Sequence, residues 1–448
     1  MTTPISPASI EAPDKSAHSP NSLLAAVGSR AWIALITLII VYALNFLCRQ
    51  LPNILGKPIE DSLHISDGQF GRITGLYFAL FYCTIGIPVG WLADRTSRTK
   101  VLALACAIWS IATMSCGLVA TYPLFVLSFL IVGFGEAGGV PPSYAIITDY
   151  FPPGRRGTAL GLFNLGPPIG MALGTAFGAA IAAAFSWRYA FIFLGAVGVL
   201  AVIAILVLVP EPQRGGLDRA PDKMSVTKTG FLQTLVMFFS RPALILAALA
   251  AGATQLVTYG AGNFVVILLM REKGMTLHEV SIYYTLLVGI CMSGSMFVSG
   301  RVIDHFTRRW KQAYALVPAI SLTLAIPFFI AFVSTPTWSL ALLFLIGPMF
   351  LNYFYLSSTV TLVQEEVRPD QRVMSGALLL LVMNFMGLGL GPPIVGAVSD
   401  FFRASHPQHS LQFALYTCVL FYILAILLFL WLARVLRRES RKAGETAR

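Results

Sequence analysis

Two ionisable side chains stand in places that tolerate few of them. Arg49 is the single charge of the run "AWIALITLIIVYALNFLCRQLPNIL", and Glu136 is the single charge of "LFVLSFLIVGFGEAGGVPPSYAII" (residues 124–147). A charge near the middle of a bilayer costs at least about 2.5–3.5 kcal/mol on insertion scales, so each needs something that offsets it. An arginine supplies a rigid fork of donors that grips a carboxylate or phosphate with two parallel bonds. A glutamate supplies a group that takes up and gives back a proton. The two together admit a permanent ion pair that fastens two helices, a shared water pocket, or a switch. In the switch, protonating Glu136 releases Arg49 for an anionic substrate, and the bound substrate favours protonation in turn. The switch is the stronger reading, because apolar residues in place of a permanent pair would pack as well or better. Coupling two ligands through one bistable site is also the minimum that secondary transport requires.

The second half of the chain offers polar and aromatic groups rather than deep charges. Gln255, Tyr259 and Asn263 step by four, which places them on one helix face. With Tyr284, Asn352 and Tyr355 they suggest a cavity charged on one side and apolar-aromatic on the other, suited to an anion with an apolar body. The expected substrate-binding set is therefore Arg49, Tyr259, Asn263, Tyr284, Asn352 and Tyr355, with Glu136 binding the proton. Enzymatic chemistry finds no support: the six histidines fall in predicted tails and loops, no metal-ligand cluster is present, and no phosphate-cradling GxxxxGK loop exists. No cofactor is expected. The six cysteines (Cys48, Cys83, Cys106, Cys116, Cys291 and Cys418) lie in apolar runs, as small buried hydrophobes rather than a disulfide framework.

Composition decides the solvent around these residues. Of 448 residues, 56% are hydrophobic and 11% charged, and the mean hydropathy is +0.76, which places the chain in a bilayer. Twelve apolar stretches are long enough to cross it: 31–55, 68–93, 100–120, 123–150, 157–184, 188–209, 242–269, 279–303, 312–334, 338–363, 373–398 and 411–434. The class expected is an all-α membrane protein of twelve transmembrane helices in two six-helix bundles. With the N-terminus inside, 24 of the 31 Lys and Arg residues fall on the cytoplasmic side, so both termini are expected there. The net charge of +11 is thereby a topology signal, and nucleic acid is not an expected partner. Residues 1–30 read as a disordered cytoplasmic tail without a cleaved signal, 31–209 as the first bundle, 210–241 as a cytoplasmic linker, 242–435 as the second bundle, and 436–448 as a basic tail held by anionic lipid.

The chain is also built twice. "GWLADRTSR" supplies Gly90, Asp94 and Arg98, and "GRVIDHFTR" supplies Gly300, Asp304 and Arg308, each 210 residues further on. "RRGTALGLFNLGPPIG" is likewise echoed by "QRVMSGALLLLVMNFMGLGLGPPIVG". Parallel repeats of this kind place a substrate cavity between the halves near the midplane. A carboxylate at Asp94 can accept bonds from Arg98 or from a helix N-terminus across the half-to-half interface, latching the outward-facing state. Asp304 fits such a latch or a plain helix-end salt bridge equally well. Gly166, Gly170, Gly174 and Gly178 share one face of the fifth span and admit a close neighbouring helix.

The paired G-x-x-x-D-x-x-x-R loops, with twelve spans and a central linker, resemble the major facilitator superfamily over residues 30–435. Ser97 and Thr99 depart from the usual loop pattern. "YALNFLCRQ", "GEAGGVPP" and "VPEPQRG" resemble the Spinster-like branch more narrowly. The resemblance implies alternating access, a gating role for Gly90, Asp94, Arg98, Asp304 and Arg308, and proton-linked transport of a lysolipid-like or small organic anion. It also implies an aspartate where this chain has Cys48 and an arginine where it has Phe129, and a thiol cannot replace a carboxylate as a proton carrier. Glu136 would then carry coupling alone. The expected protein is a monomeric, multi-pass carrier of a bacterial inner (plasma) membrane, whose partners are a small-molecule or lipid-like anion, the proton and membrane lipid. An uncoupled facilitator is the alternative, made credible by Cys48, and a membrane sensor without turnover is the third reading.

Overall fold

The computed structural model describes residues 28–152, 156–212, 231–307, 309–368 and 371–446. Among the described residues all regular structure is helical. The first half opens with α1 (Ser29–Leu63), which at 1.5 Å per residue is ~52 Å long, more than the ~30 Å of hydrocarbon needs. It ends at His64, whose left-handed backbone (φ 52°) caps it. Next comes α2 (Asp67–Gly71), started by a reciprocal cap in which the Ser66 hydroxyl accepts from the Gln69 amide and the Gln69 side chain accepts from the Ser66 amide. A π-helical turn, Arg72–Tyr77, leads into α3 (Phe78–Arg95). The half continues with α4 (Arg98–Leu118), α5 (Tyr122–Ala137), α6 (Val140–Tyr150), α7 (Arg156–Phe163), α8 (Gly166–Ala184) and α9 (Trp187–Leu208).

A short helix, α10 (Phe231–Ser240), precedes the second half. There follow α11 (Pro242–Arg271), α12 (Leu277–Glu279), a π-helical turn Val280–Tyr284, and α13 (Thr285–Thr307). Then come α14 (Ala313–Ser334), α15 (Trp338–Leu351), α16 (Phe354–Glu366), α17 (Arg372–Asn384), a third π-helical turn Phe385–Leu390, α18 (Gly391–Arg403), α19 (Ser410–Tyr416) and α20 (Cys418–Thr446). Eleven of these stretches among the described residues are long and apolar enough to cross a bilayer, and Arg72 through Arg95 supplies the remaining crossing. The outer surface carries side chains such as Leu104, Leu200 and Ile203, each more than half exposed, as contact with lipid demands. His278 and His305 belong to α12 and to the last turn of α13, not to loops as the sequence suggests.

Glycines bring the helices together. A Cβ at Gly170 would stand 2.1 Å from the Ala43 carbonyl oxygen, and one at Gly174 2.9 Å from that of Leu47, so the glycine face of α8 lies directly on α1. The second half repeats the device: a Cβ at Gly387 would meet the Gln255 side chain at 2.4 Å, and one at Gly391 the Leu256 carbonyl at 2.8 Å, against α11.

The halves meet most tightly at the end that carries residues 64–71. There Gly71 faces the Pro392 carbonyl, Gly75 the Pro393 ring and Gly396 the Asp67 carbonyl, at Cβ distances of 2.3, 2.6 and 2.3 Å. Hydrogen bonds close the same end. Arg271 donates to both oxygens of Asp67 at 2.7 Å, Ser399 donates to Asp67 as well, and Asp400 accepts from the Ser66 hydroxyl at 2.7 Å and the Gly68 amide at 3.0 Å. We call this end the seal.

Candidate functional site

Below the seal, between the halves, lies a cavity of about 470 Å³. From the first half it takes a strip of α1: Tyr42, Phe46 and Arg49 stand at i, i+4 and i+7, hence on one face. α3 adds Phe78 and Tyr82, again four apart. The Arg49 guanidinium lies 4.7 Å from the centroid of Phe78, 5.1 Å from Tyr82 and 5.5 Å from Phe46. Each such contact contributes about 0.5–2 kcal/mol, which holds the cation without using up its donors. Its Nη2 is buried and has no hydrogen-bond partner. An anion entering the cavity would meet a positioned donor.

Glu136 sits at the last turn of α5, where Gly138 and Gly139 interrupt the span before α6. Here the chain passes close to α4: a Cβ at Gly135 would stand 2.5 Å from the Trp109 amide nitrogen, and one at Gly138 2.7 Å from the Ala105 Cβ. Glu136 is 1% exposed, and neither carboxyl oxygen has a hydrogen-bond partner. Negative charge at a helix C-terminus is also opposed by the helix dipole. Glu136 interacts electrostatically with Arg49, Cys48 and Tyr82. The direct Arg49–Glu136 ion pair, one of the alternatives open from sequence, is not formed: the guanidinium lies against rings, and Glu136 is buried with neither oxygen partnered and is not among the residues that line the cavity.

The six expected substrate contacts come together. Arg49, Tyr259, Asn263, Tyr284, Asn352 and Tyr355 all line this cavity. Asn263 donates to the Tyr259 carbonyl at 2.7 Å and leaves its Oδ1 without a partner, whereas Asn352 Oδ1 is committed to the Tyr422 hydroxyl at 2.9 Å. Tyr42 and Tyr82 belong to the same lining and escaped the sequence reading, although their four-residue spacing from Phe46 and Phe78 was a usable sign.

At the other end of the first half Arg98 donates to the Asp149 carboxylate and to the Ala145 carbonyl, which ties α4 to α6. Glu211, beyond α9, accepts from the Ser97 hydroxyl at 2.6 Å and from the amides of Arg98 and Thr99, both at 2.9 Å. Burial opposes its charge, yet the Ser97 hydroxyl and the two amides hold its carboxyl below the usual range. These bonds stay within one half. Gly90 and Asp94 lie on α3 and Asp304 on α13, with their surroundings outside the described residues, and Arg308 lies outside them altogether. Glu211 was legible as part of "VPEPQRG" but not as a brace.

Comparison with known proteins sets these features in a family. Residues 38–382 match the model of the Major Facilitator Superfamily. An MFS-type efflux pump of Mycolicibacterium smegmatis is 30% identical over 83% of this chain and 85% of its own length. Protein spinster homolog 1 of Xenopus laevis is 25% identical over 92% of this chain and 82% of its own length. The crystal structure of a bacterial homologue of the human lysosomal transporter Spinster, in an inward-facing and unoccupied conformation, superposes with a TM-score of 0.86 at 28% identity, covering 92% of this chain and 98% of that one.

Proposed function

The chain belongs to the Major Facilitator Superfamily, whose members are membrane transporters rather than enzymes, and from that premise we propose a proton-linked carrier for an anionic, lysolipid-like or small organic substrate. One observation carries the reading: Glu136 is buried with both oxygens unpartnered, within electrostatic reach of an arginine that lines the cavity. The charged form of such a carboxyl is stabilised only by Arg49, and Arg49 is the group an anionic substrate would engage. Substrate binding neutralises that support and draws a proton onto Glu136; release of the substrate reverses it. The cavity lining, largely apolar and aromatic with Arg49 and a set of amides and hydroxyls among it, suits a single anionic head on an apolar body.

Residues 31–209 and 242–435 act in this proposal as the two bundles that rock about the cavity, with the chain working as a monomer. Placing both termini in the cytoplasm of a bacterial inner membrane, as the bias of Lys and Arg favours, makes the seal extracytoplasmic and the described arrangement inward-facing. Asp94, Asp304, Arg98 and Arg308, with Gly90, would gate the cytoplasmic end. A second reading, an uncoupled facilitator, is favoured by Cys48, a buried thiol where the Spinster-like pattern has a carboxylate.

Flux in liposomes separates the two. Lysolipids, sphingoid phosphates and organic anions are offered with and without a pH gradient, to wild type and to Glu136→Gln. The expected result is that a panel member moves faster with the gradient and that the variant loses this acceleration. Equal flux in all four conditions means an uncoupled carrier.

A further inference from the structure

A second group of ionisable side chains lies apart from the cavity, at the seal. The Glu60 side chain is 6% exposed, its Oε1 has no hydrogen-bond partner, and its Oε2 stands 3.7 Å from Arg271 Nη1. Arg271 is already committed, since it gives two 2.7 Å bonds to Asp67, a side chain that is 0% exposed. The Glu60 and Asp67 carboxyls thus stand near the same guanidinium nitrogen, Arg271 Nη1, at 3.7 and 2.7 Å, within electrostatic reach of each other. Two buried acids on a single guanidinium do not both ionise readily, so one of them holds its hydrogen. A cavity of about 610 Å³, lined in part by Glu60, Arg271, His64 and Arg403, adjoins the group and gives it a route to water.

The other charges that face it are few and mostly engaged. On α1, Lys57 pairs with Asp61, and His64 lines the adjoining cavity. From α18, Asp400 accepts from Ser66 and Gly68, and Arg403 lies within electrostatic reach of Glu60 and Asp67. Beyond α11, Glu272 accepts the Leu411 and Gln412 amides beside His409.

We propose that Glu60 and Asp67 form a proton-binding site built into the seal, distinct from Glu136, with the proton held on Glu60 while the halves are latched and released when they part. The inference rests on the alternating-access reading and does not require Glu136. Both acids belong to the first half and Arg271 to the second, so separation of the halves removes the guanidinium and admits water. Glu60 then meets solvent and loses its proton. A proton bound more tightly in the sealed state stabilises that state, so raising the pH through the Glu60 titration weakens the seal. Asp67 has the opposite sign. Burial pushes its carboxyl up, but the hydrogen bonds and charge of Arg271, with the Ser399 hydroxyl, hold it below the usual carboxylate range. Its contribution is complete above that range and is lost as the pH falls through the sealed-state value. The sealed population therefore peaks between the two titrations.

The test is a distance measurement by electron spin resonance on the full chain in liposomes. Labels are placed at Ser62→Cys and Ser405→Cys, both exposed, with the partly exposed Cys83 changed to Ser. In wild type the ratio of parted to sealed molecules should rise with pH by up to about tenfold per pH unit, the slope of one linked proton. Glu60→Gln should stay sealed and lose this alkaline limb, Glu60→Asp and His64→Asn should keep it, and Asp67→Asn should be parted throughout. An alkaline limb unchanged in Glu60→Gln, or one abolished by His64→Asn, overturns the proposal. Should Glu60→Gln not fold, loss of the limb in Glu60→Asp overturns it instead. Distances that stay fixed at every pH and in Asp67→Asn refute alternating access itself, and repeating the series in Glu136→Gln keeps that site's failure separate.

Discussion

Arg49 keeps its charge in an apolar cavity by lying against three rings, an arrangement that a compact ammonium cannot reproduce. Arg49→Lys should therefore weaken binding of a transported anion at least ~10-fold, about 1.4 kcal/mol, although the formal charge is retained. Titration calorimetry with a substrate found in the flux panel reads this directly. Glu211 makes a different kind of single-residue claim. Its carboxyl is held below the usual range, so its hold on the start of α4 is complete at neutral pH and is lost only as the pH falls through that lowered value. Hydrogen exchange at the amides of Arg98 and Thr99 should accelerate on acidification, and in Glu211→Gln should be fast already at neutral pH. Glu136, Arg49 and the second-half polar residues were legible in the sequence because charge and amide stand out against apolar spans. The rings around Arg49 were not, since an aromatic in a membrane helix looks the same whether it faces a cation, a neighbour or lipid.

Helices set these residues in place through close approach, and the glycine faces carry that approach. Gly170 and Gly289 make a controlled contrast. Gly170→Ala puts a Cβ against the Ala43 backbone and should lower the thermal midpoint in detergent, by overpacking of about 1–3 kcal/mol less the ~1 kcal/mol that alanine gains in a helix. Gly289→Ala meets nothing nearer than 3.9 Å and should leave the midpoint unchanged or raise it. The four-residue glycine spacing of α8 was readable as a packing face, and α1 is the helix it packs on. The seal escaped the sequence reading for a physical reason: Glu60, Asp67 and Arg271 lie near span ends, where charges are ordinary, and only the approach of α11 to α2 turns them into a buried group. Their one sign was that Arg271 and Arg403 fall among the few basic residues on the less basic side.

At the scale of the whole molecule, twofold repetition and asymmetry divide the work. The repeat seen in the loop motifs extends to conformation: Ser66 and Gln69 cap α2 as Thr276 and Glu279 cap α12, again 210 residues apart, and each cap is followed by a π-helical turn. What the halves do not share is chemistry, because Asp67 is answered by Leu277 and the deep charges Arg49 and Glu136 are both in the first half. The scaffold is thus common to both bundles, while the deep charges belong to the first and Tyr259, Asn263, Tyr284, Asn352 and Tyr355 line the cavity from the second. The paired π-helical turns have a consequence of their own. Each carries one residue more than a regular helix would use, and that surplus is not tied to its position, because neighbouring carbonyls can accept the same amides in turn. Were the wide turn to migrate along α3 or α13, the residues it passed would each rotate by ~100° about the helix axis while the chain stayed bonded and spanned the same depth. Each bundle therefore contains slack of a rotary kind, able to turn a face of the cavity lining without unwinding a helix or moving its ends.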